Sequence, residues 1–472
     1  MQITADLHFH SKYSRAVSQQ MVLPEIAKWA NFKGIDLVTT ADFTHPLWLR
    51  EIKANLEEKR EGIYRVKGQE KPLFLLTTEI SSIYTQNGKL RRIHNLVFAP
   101  NLEEAEKIET ELARRGNVMS DGRPIFGLSA RDIADLILNL SPEALIVPAH
   151  CWTPHFALYG SESGFDSIEE CFGDMAKNIY AVETGLSSSP EMNWRVGELD
   201  RRSIISCSDA HSGAKLGREA TVFEIEDIKK LRYEDIREAI RSGGGKWEMG
   251  REVGVGSEEK RGKPHISYTI EFYPEEGKYH YTGHRNCNVR QSPEETRRLG
   301  EVCPVCGKHL TVGVMHRVEE LATREISAFA KASADKKNEK PASPTGGLKI
   351  KNDEKEVKWI GYENRPPYVM LVPLLEILAE SLNTIISSQK VISEYRKLTE
   401  NFRGEFGVLL NTDISEIAKI SGLRIAEGIK KVRSGDIVVD PGYDGVFGTV
   451  KIWPEGKDVA KEEEEKEQLA LF

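Results

Sequence analysis

Six cysteines in 472 residues are few, and three of them, Cys151, Cys171 and Cys207, stand far from any other. That scarcity excludes a disulfide framework of the kind that braces small secreted domains. Long apolar runs are lacking too: no stretch approaches the ~18 uninterrupted apolar residues of a membrane span, so no membrane partner is expected. The chain passes from Met1 straight into an apolar strand pattern without a basic-then-apolar leader, and the cytoplasm is the expected compartment. A nucleotide-binding loop is also missing. Around Gly262-Lys263, Ser257 stands where the first glycine of Gly-x-x-x-x-Gly-Lys-Ser/Thr belongs and Pro264 where the hydroxyl belongs, so no ATP-driven step is expected. There is no internal repeat. Nor is there an excess of basic charge: the formal net charge is −8. The segment Glu455–Phe472 carries seven acids against three lysines, about half of that excess, so the global balance is a weak veto on nucleic-acid binding, which depends on local patches.

What remains is an ordinary globular composition, 39% hydrophobic and 29% charged, in a chain long enough for two to four domains. Seven short apolar runs, Ile3–Leu7, Ile35–Thr39, Leu73–Leu76, Asn95–Phe98, Ala144–Pro148, Ile179–Glu183 and Ile204–Ser208, alternate with helical stretches. They read as buried strands of a parallel sheet or α/β barrel. Residues 1–245 form this first unit, closed by Ser242-Gly-Gly-Gly245. Residues 265–325 read as a small module with clustered cysteines, and 327–358, rich in Ala, Ser, Lys, Glu, Pro and Gly, as a flexible linker. A mainly helical domain follows at 359–454, with Val369–Ser387 and Ile414–Val432 as amphipathic helices and Gly442-Tyr-Asp-Gly445 as a turn. Residues 455–472 form an acidic tail expected to be disordered.

Polar residues cluster just beyond the strand runs. In Asp6-Leu-His8-Phe-His10 alternate side chains share a face, so both imidazoles point to one place. Glu79, His94, His150 and Asp209, with His211 after it, lie at or just after other strand ends. Any one of these alone is more often a structural residue than a ligand, but their common placement argues for a metal centre. In the second module His284-Arg-Asn-Cys287 and Cys303-Pro-Val-Cys306-Gly form two knuckles that suit one structural zinc, with His284 preferred over His280. From Lys278 to Arg324 there are eight Lys or Arg against five acids, a surface that permits phosphate contacts.

The ordered set from His8 to His211 resembles the PHP family of metal-dependent phosphoesterases over the N-terminal half of the chain. The resemblance implies a distorted seven-stranded β/α barrel and phosphoester hydrolysis. By it, His8, His10, Glu79 and Asp209 hold one divalent ion, while Glu79 bridges to a second held by His94 and His150. Zinc, manganese and iron all suit these ligands. Of the family's third set only His211 is present, since Ala16 and Phe43 stand where histidines are expected, so the resemblance supplies two ions fully and a third with one ligand of three. Asp42 could bind metal, hold a ligand histidine, or do both; His211 could be a ligand or a general acid. Asp209, His211 and Asp42 are the expected catalytic residues.

The order of modules is more specific still. Phe156–Phe165 after His150, Glu183-Thr-Gly185, Gly313-Val-Met-His-Arg-Val-Glu-Glu, Arg365-Pro-Pro and Pro441-Gly-Tyr-Asp-Gly-Val-Phe-Gly together resemble the endonuclease Q family across nearly the whole chain. That resemblance implies incision of damaged DNA on the 5′ side of deaminated bases (uracil, hypoxanthine, xanthine) or abasic sites, with the lesion flipped into a pocket. Gly160, Ser161, Ser163 and Gly164 are the candidate pocket; an ordinary glycine-rich loop is the alternative. The final residues Gln468, Leu469, Leu471 and Phe472 resemble the peptide by which bacterial repair proteins bind the β sliding clamp. The rival functions are a small-molecule phosphoesterase of the histidinol-phosphatase type and a non-catalytic DNA-binding scaffold.

Overall fold

The computed structural model describes residues 1–242, 263–324 and 347–454. The acidic tail with Gln468, Leu469, Leu471 and Phe472, the glycine run at 243–245 and most of the expected linker lie outside the described residues.

All seven apolar runs hold strands, and all but Ile3–Leu7 divide their apolar side chains between two cores. Ile3, Ala5, Leu37, Leu75, Leu96, Val147 and Ile205 meet in one cluster. Their neighbours Val38, Phe74, Leu76, Val97 and Ile146 pack in another, against the helices. This is the two-residue period of a pleated strand buried on both faces. Gln2–Asp6 lies centrally, parallel to Leu37–Thr39 and antiparallel to Ala220–Glu224. Leu37–Thr39 is in turn parallel to Leu73–Gln86.

The sheet is mixed rather than parallel. Leu73–Gln86 and Lys89–Ala99 form a long hairpin whose turn residues Asn87 and Gly88 both have positive φ, 54° and 75°, as an Asn-Gly hairpin turn requires. Lys89–Ala99 then pairs antiparallel with Leu145–Pro148. Ala181–Glu183 and Ser203–Ile205 form a separate parallel ladder. Single backbone links join it to its neighbours: Cys151 N donates to Glu183 O at 3.1 Å, and Phe9 bridges to Ala210.

The large sheet also crosses the domain boundaries expected from sequence. Beyond Ala220–Glu224 it continues through His265–Glu271, Tyr368–Met370, Lys358–Tyr362 and Leu348–Asn352. Leu348–Asn352 was expected within the linker; it is a mostly exposed edge strand, and its solvated Lys and Asn residues mimic linker composition. The helix expected over Val369–Ser387 is shorter, Leu374–Ser381, because Tyr368–Met370 is a strand and Pro373 precedes the helix. Ile414–Ser421 and Leu423–Ser434 are separate helices broken at Gly422, φ 84°. With Gln389–Asn401 they complete a helical layer. That layer is tied to the first unit by a buried ion pair, Lys33 Nζ to Glu405 at 2.7 Å. Glu405 also accepts hydrogen bonds from Leu374 N and Tyr395 OH.

Candidate metal centre

His8 and His10 leave the carboxyl end of Gln2–Asp6, and each imidazole is held from behind. His8 Nδ1 lies 2.9 Å from Glu183 Oε1, and His10 Nδ1 lies 3.1 Å from Asp42 Oδ1. With each Nδ1–H donating to a carboxylate, each Nε2 lone pair faces inward. Both Nε2 atoms are buried and make no hydrogen bond, as is Asp209 Oδ1. Orphaned buried polar atoms are costly, and these converge. His10 Nε2 is 3.2 Å from both Asp209 Oδ1 and Glu79 Oε2, and His8 Nε2 is 3.8 Å from the same two atoms.

The other oxygen of Glu79 serves a second set. Oε1 stands 2.7 Å from His94 Nδ1 and 3.1 Å from His150 Nε2. One fully buried carboxylate therefore faces His8, His10 and Asp209 through Oε2 and His94 and His150 through Oε1. Both donor sets, His8/His10/Asp209 and Glu79/His94/His150, are compact enough to hold a metal ion, and their nitrogen and oxygen donors fit a divalent transition metal.

The electrostatics keep the carboxylate donors ionised. Burial would raise the Glu79 carboxyl, but the neighbouring His94 ring, the charge of Arg123 and the hydrogen bonds of His10 and His150 hold it well below the usual carboxylate range. Burial would likewise raise Asp209, and the hydrogen bond and charge of His10 with the charge of His8 outweigh it. Burial brings His94 down to about 4, which leaves its imidazole neutral at pH 7. The backbone is strained here as well: Asp42, His150 and Asp209 have φ of 44°, 31° and 45°, each costing on the order of 1–3 kcal/mol. Gly185, φ 59°, has no alternative, since a Cβ there would lie 2.4 Å from His150 Cβ.

Asp42 sits behind His10, not at the centre. Its Oδ2 already accepts from Ser11 N, Ser11 Oγ and Ser14 Oγ at 2.7–2.8 Å. His211 stands at the rim, its ring 5.0 Å from that of His10, with Nδ1 donating to Asp209 O at 2.9 Å. Ala16 is exposed and Phe43 is buried, and neither side chain has a donor atom. Two further residues, Arg123, absent from the sequence reading, and Glu183, present there only as part of a motif, complete the centre. Arg123, from the loop after Leu102–Ala113, donates to Glu79 Oε2 at 3.0 Å; nothing in its local sequence signals this. Glu183 holds His8 and also accepts from His150 N at 2.7 Å; its position at the end of an apolar strand was the available signal.

The Gly160–Gly164 loop is folded on itself. Gly164 N donates to Gly160 O at 2.8 Å, and a Cβ on either glycine would strike backbone within 2.6 Å. Ser163 is buried and accepts from Phe156 N, while Ser161 Oγ donates to Val312 O at 3.1 Å. The loop thus docks the second module.

There, His284, Cys287, Cys303 and Cys306 bring one donor each to a single point. Desolvation pushes the Cys303 thiol up, but the backbone N–H groups of Cys306 and Val305 prevail and bring it down to about 6. His280 lies outside the cluster, buried with Nδ1 unpartnered.

Buried imidazole and carboxylate donors gathered on and just beyond neighbouring strands define a divalent-metal centre of the kind a metal-dependent hydrolase uses. The relatives agree in particulars. Two crystal structures of endonuclease Q match at TM-score 0.74 and 30% identity over 96% of this chain: the lesion-specific enzyme of Pyrococcus furiosus, over 96% of its own length, and a complex with a duplex bearing an abasic lesion at the active site, over 97%. The chain belongs to the endonuclease Q family. Residues 373–436 match the MJ0043 C-terminal domain model. An uncharacterized Methanocaldococcus jannaschii protein is 30% identical over 66% of this chain, which spans about a third (33%) of that relative's length. The Bacillus subtilis protein YqxK is 27% identical over 95% of this chain and 99% of its own.

Proposed function

We propose that this protein is a DNA repair endonuclease that hydrolyses the phosphodiester on the 5′ side of deaminated bases (uracil, hypoxanthine, xanthine) or abasic sites. The observation that carries the proposal is the full-length match to endonuclease Q, one structure of which holds an abasic duplex. The site would sit at the rim of a distorted seven-stranded β/α barrel, closed through the Cys151–Glu183 and Phe9–Ala210 links. His8, His10, Asp209 and Glu79 would hold one divalent ion and Glu79, His94 and His150 a second. Bound there, such ions supply Lewis-acid stabilisation of phosphoryl oxygens and acidify water.

The chain's own residues set the stage. Glu183 and Asp42 fix the tautomers of His8 and His10, which makes them positioning residues rather than catalytic ones. Arg123 neutralises Glu79 and adds positive charge where an anionic phosphodiester must approach. His211, with Nδ1–H committed to Asp209 O, leaves Nε2 to exchange a proton with the leaving oxygen. Burial lowers its pKa, with the Asp209 charge opposing. His284, Cys287, Cys303 and Cys306 would hold a structural zinc. Gly160, Ser161, Ser163 and Gly164 support the lesion pocket as a rigid wall rather than an open cleft. Gln468, Leu469, Leu471 and Phe472 would engage a sliding clamp, which a clamp pull-down with and without them checks.

The experiment offers full-length protein and divalent metal otherwise identical duplexes carrying uracil, hypoxanthine, an abasic site or no lesion, beside a phosphomonoester. Lesion-dependent nicking is expected. Turnover of the monoester with every duplex intact selects the small-molecule phosphoesterase.

A further inference from the structure

A third group of convergent ligand atoms lies outside the metal centre and the cysteine cluster. His316 is on the helix Val314–Leu321, and Glu320, four residues on, shares its face. Glu301 comes from the turn just before Cys303. His316 is more than nine-tenths buried, its side chain 9% exposed, and its Nδ1 has no hydrogen-bond partner. Its Nε2 points at Glu301 Oε1, 3.8 Å away, and at Glu320 Oε1, 3.9 Å away.

These separations decide between two readings. A histidine hydrogen-bonded to a carboxylate sits within about 3.2 Å of it. Donor atoms that each bind one cation at about 2.0–2.2 Å lie farther apart than that, because the ion stands between them. His316 Nε2 keeps the second spacing to both carboxylates, and the three ligand atoms lie within 4.8 Å of one another. Glu320 keeps its other oxygen on Arg317 at 3.0 Å, which fixes its orientation. Glu301 and Glu320 are partly exposed, so the remaining positions of a coordination sphere open to solvent.

We propose that His316, Glu301 and Glu320 form a further binding site for a divalent transition-metal ion, of the zinc or manganese class. The site spans the second module: Glu301 is two residues from Cys303, while Arg317 donates to Tyr159 O and Phe165 O at 3.1 and 3.2 Å. An ion here would fasten the cysteine knuckle to the helix that docks the loop after His150. Its role is bracing, and its loss should loosen the module without removing the ions of the metal centre.

The test uses full-length protein dialysed against buffer with dilute Zn²⁺, with bound zinc per chain measured by inductively coupled plasma mass spectrometry. The parent is compared with H316A and with an E301Q/E320Q double variant that keeps the imidazole in place. Each variant should hold one zinc fewer than the parent, with Asp209→Asn in the same background losing metal independently. Should H316A fail to fold, the double variant decides. A double variant that retains the parent's zinc content, with the same Zn²⁺-dependent rise in melting temperature, overturns the proposal.

Discussion

Replacing Glu183 by Gln tests how the metal centre is held. The carboxylate accepts from His8 Nδ1 at 2.9 Å and from His150 N at 2.7 Å, so it orients one histidine of each donor set. Glutamine keeps the shape and can keep one acceptor oxygen, but it removes the charge that makes the His8 imidazole a better donor. Loss of such a partner typically costs 10–100-fold in metal affinity or activity, which corresponds to about 1.4–2.7 kcal/mol. The assay titrates Zn²⁺ or Mn²⁺ against a competing chelator and follows incision of an abasic duplex over the same metal range. The expected result is a weakened metal midpoint with a rate that recovers at saturating metal. A rate defect that persists at saturation with unchanged metal affinity would refute the positioning role.

Asp209→Asn should abolish incision by removing a ligand charge while leaving duplex binding intact in a gel-shift assay; retained cleavage removes Asp209 from the ligand set. Lys33→Ala leaves Glu405 buried without its cation and should cost about 3–5 kcal/mol, read as a lower denaturant midpoint, whereas an unchanged midpoint contradicts the tie between the first unit and the helical layer. Burial lowers His280 to about 4 from its usual 6.5, so the unfolded chain takes up a proton first as the pH falls. Stability should therefore drop between pH 6.5 and 4 by about 3 kcal/mol from this residue. His280→Gln should flatten that part of the pH–stability curve, and an equally steep curve would count against it. Cys303→Ser should lower the zinc content and the melting temperature together.

Much of the site could be read from the chain because strand geometry places it. His8 and His10 are two residues apart on a pleated strand, and Glu79, His94, His150 and Asp209 each lie close to one end of an apolar run. The structure brings all six together. Arg123 was invisible because a loop with no periodicity carries it across space to Glu79. Asp42 was legible as important but not in its role, since only coordinates show its oxygens spent on His10, Ser11 and Ser14. The long hairpin carried its own signal, Asn87-Gly88, yet polar outer ends such as Lys89–Arg92 hid how far the strands run. Leu348–Asn352 failed for a related reason: a solvated edge strand has the composition of a linker, and only pairing with Lys358–Tyr362 distinguishes the two.

The most direct test of lesion-directed cleavage is to map the nick at nucleotide resolution on a duplex labelled at either end and carrying a single abasic site. One metal-dependent break immediately on the 5′ side of the lesion is expected, absent from the undamaged duplex. Breaks spread along the strand irrespective of the lesion, or an intact strand under the same metal, would contradict it.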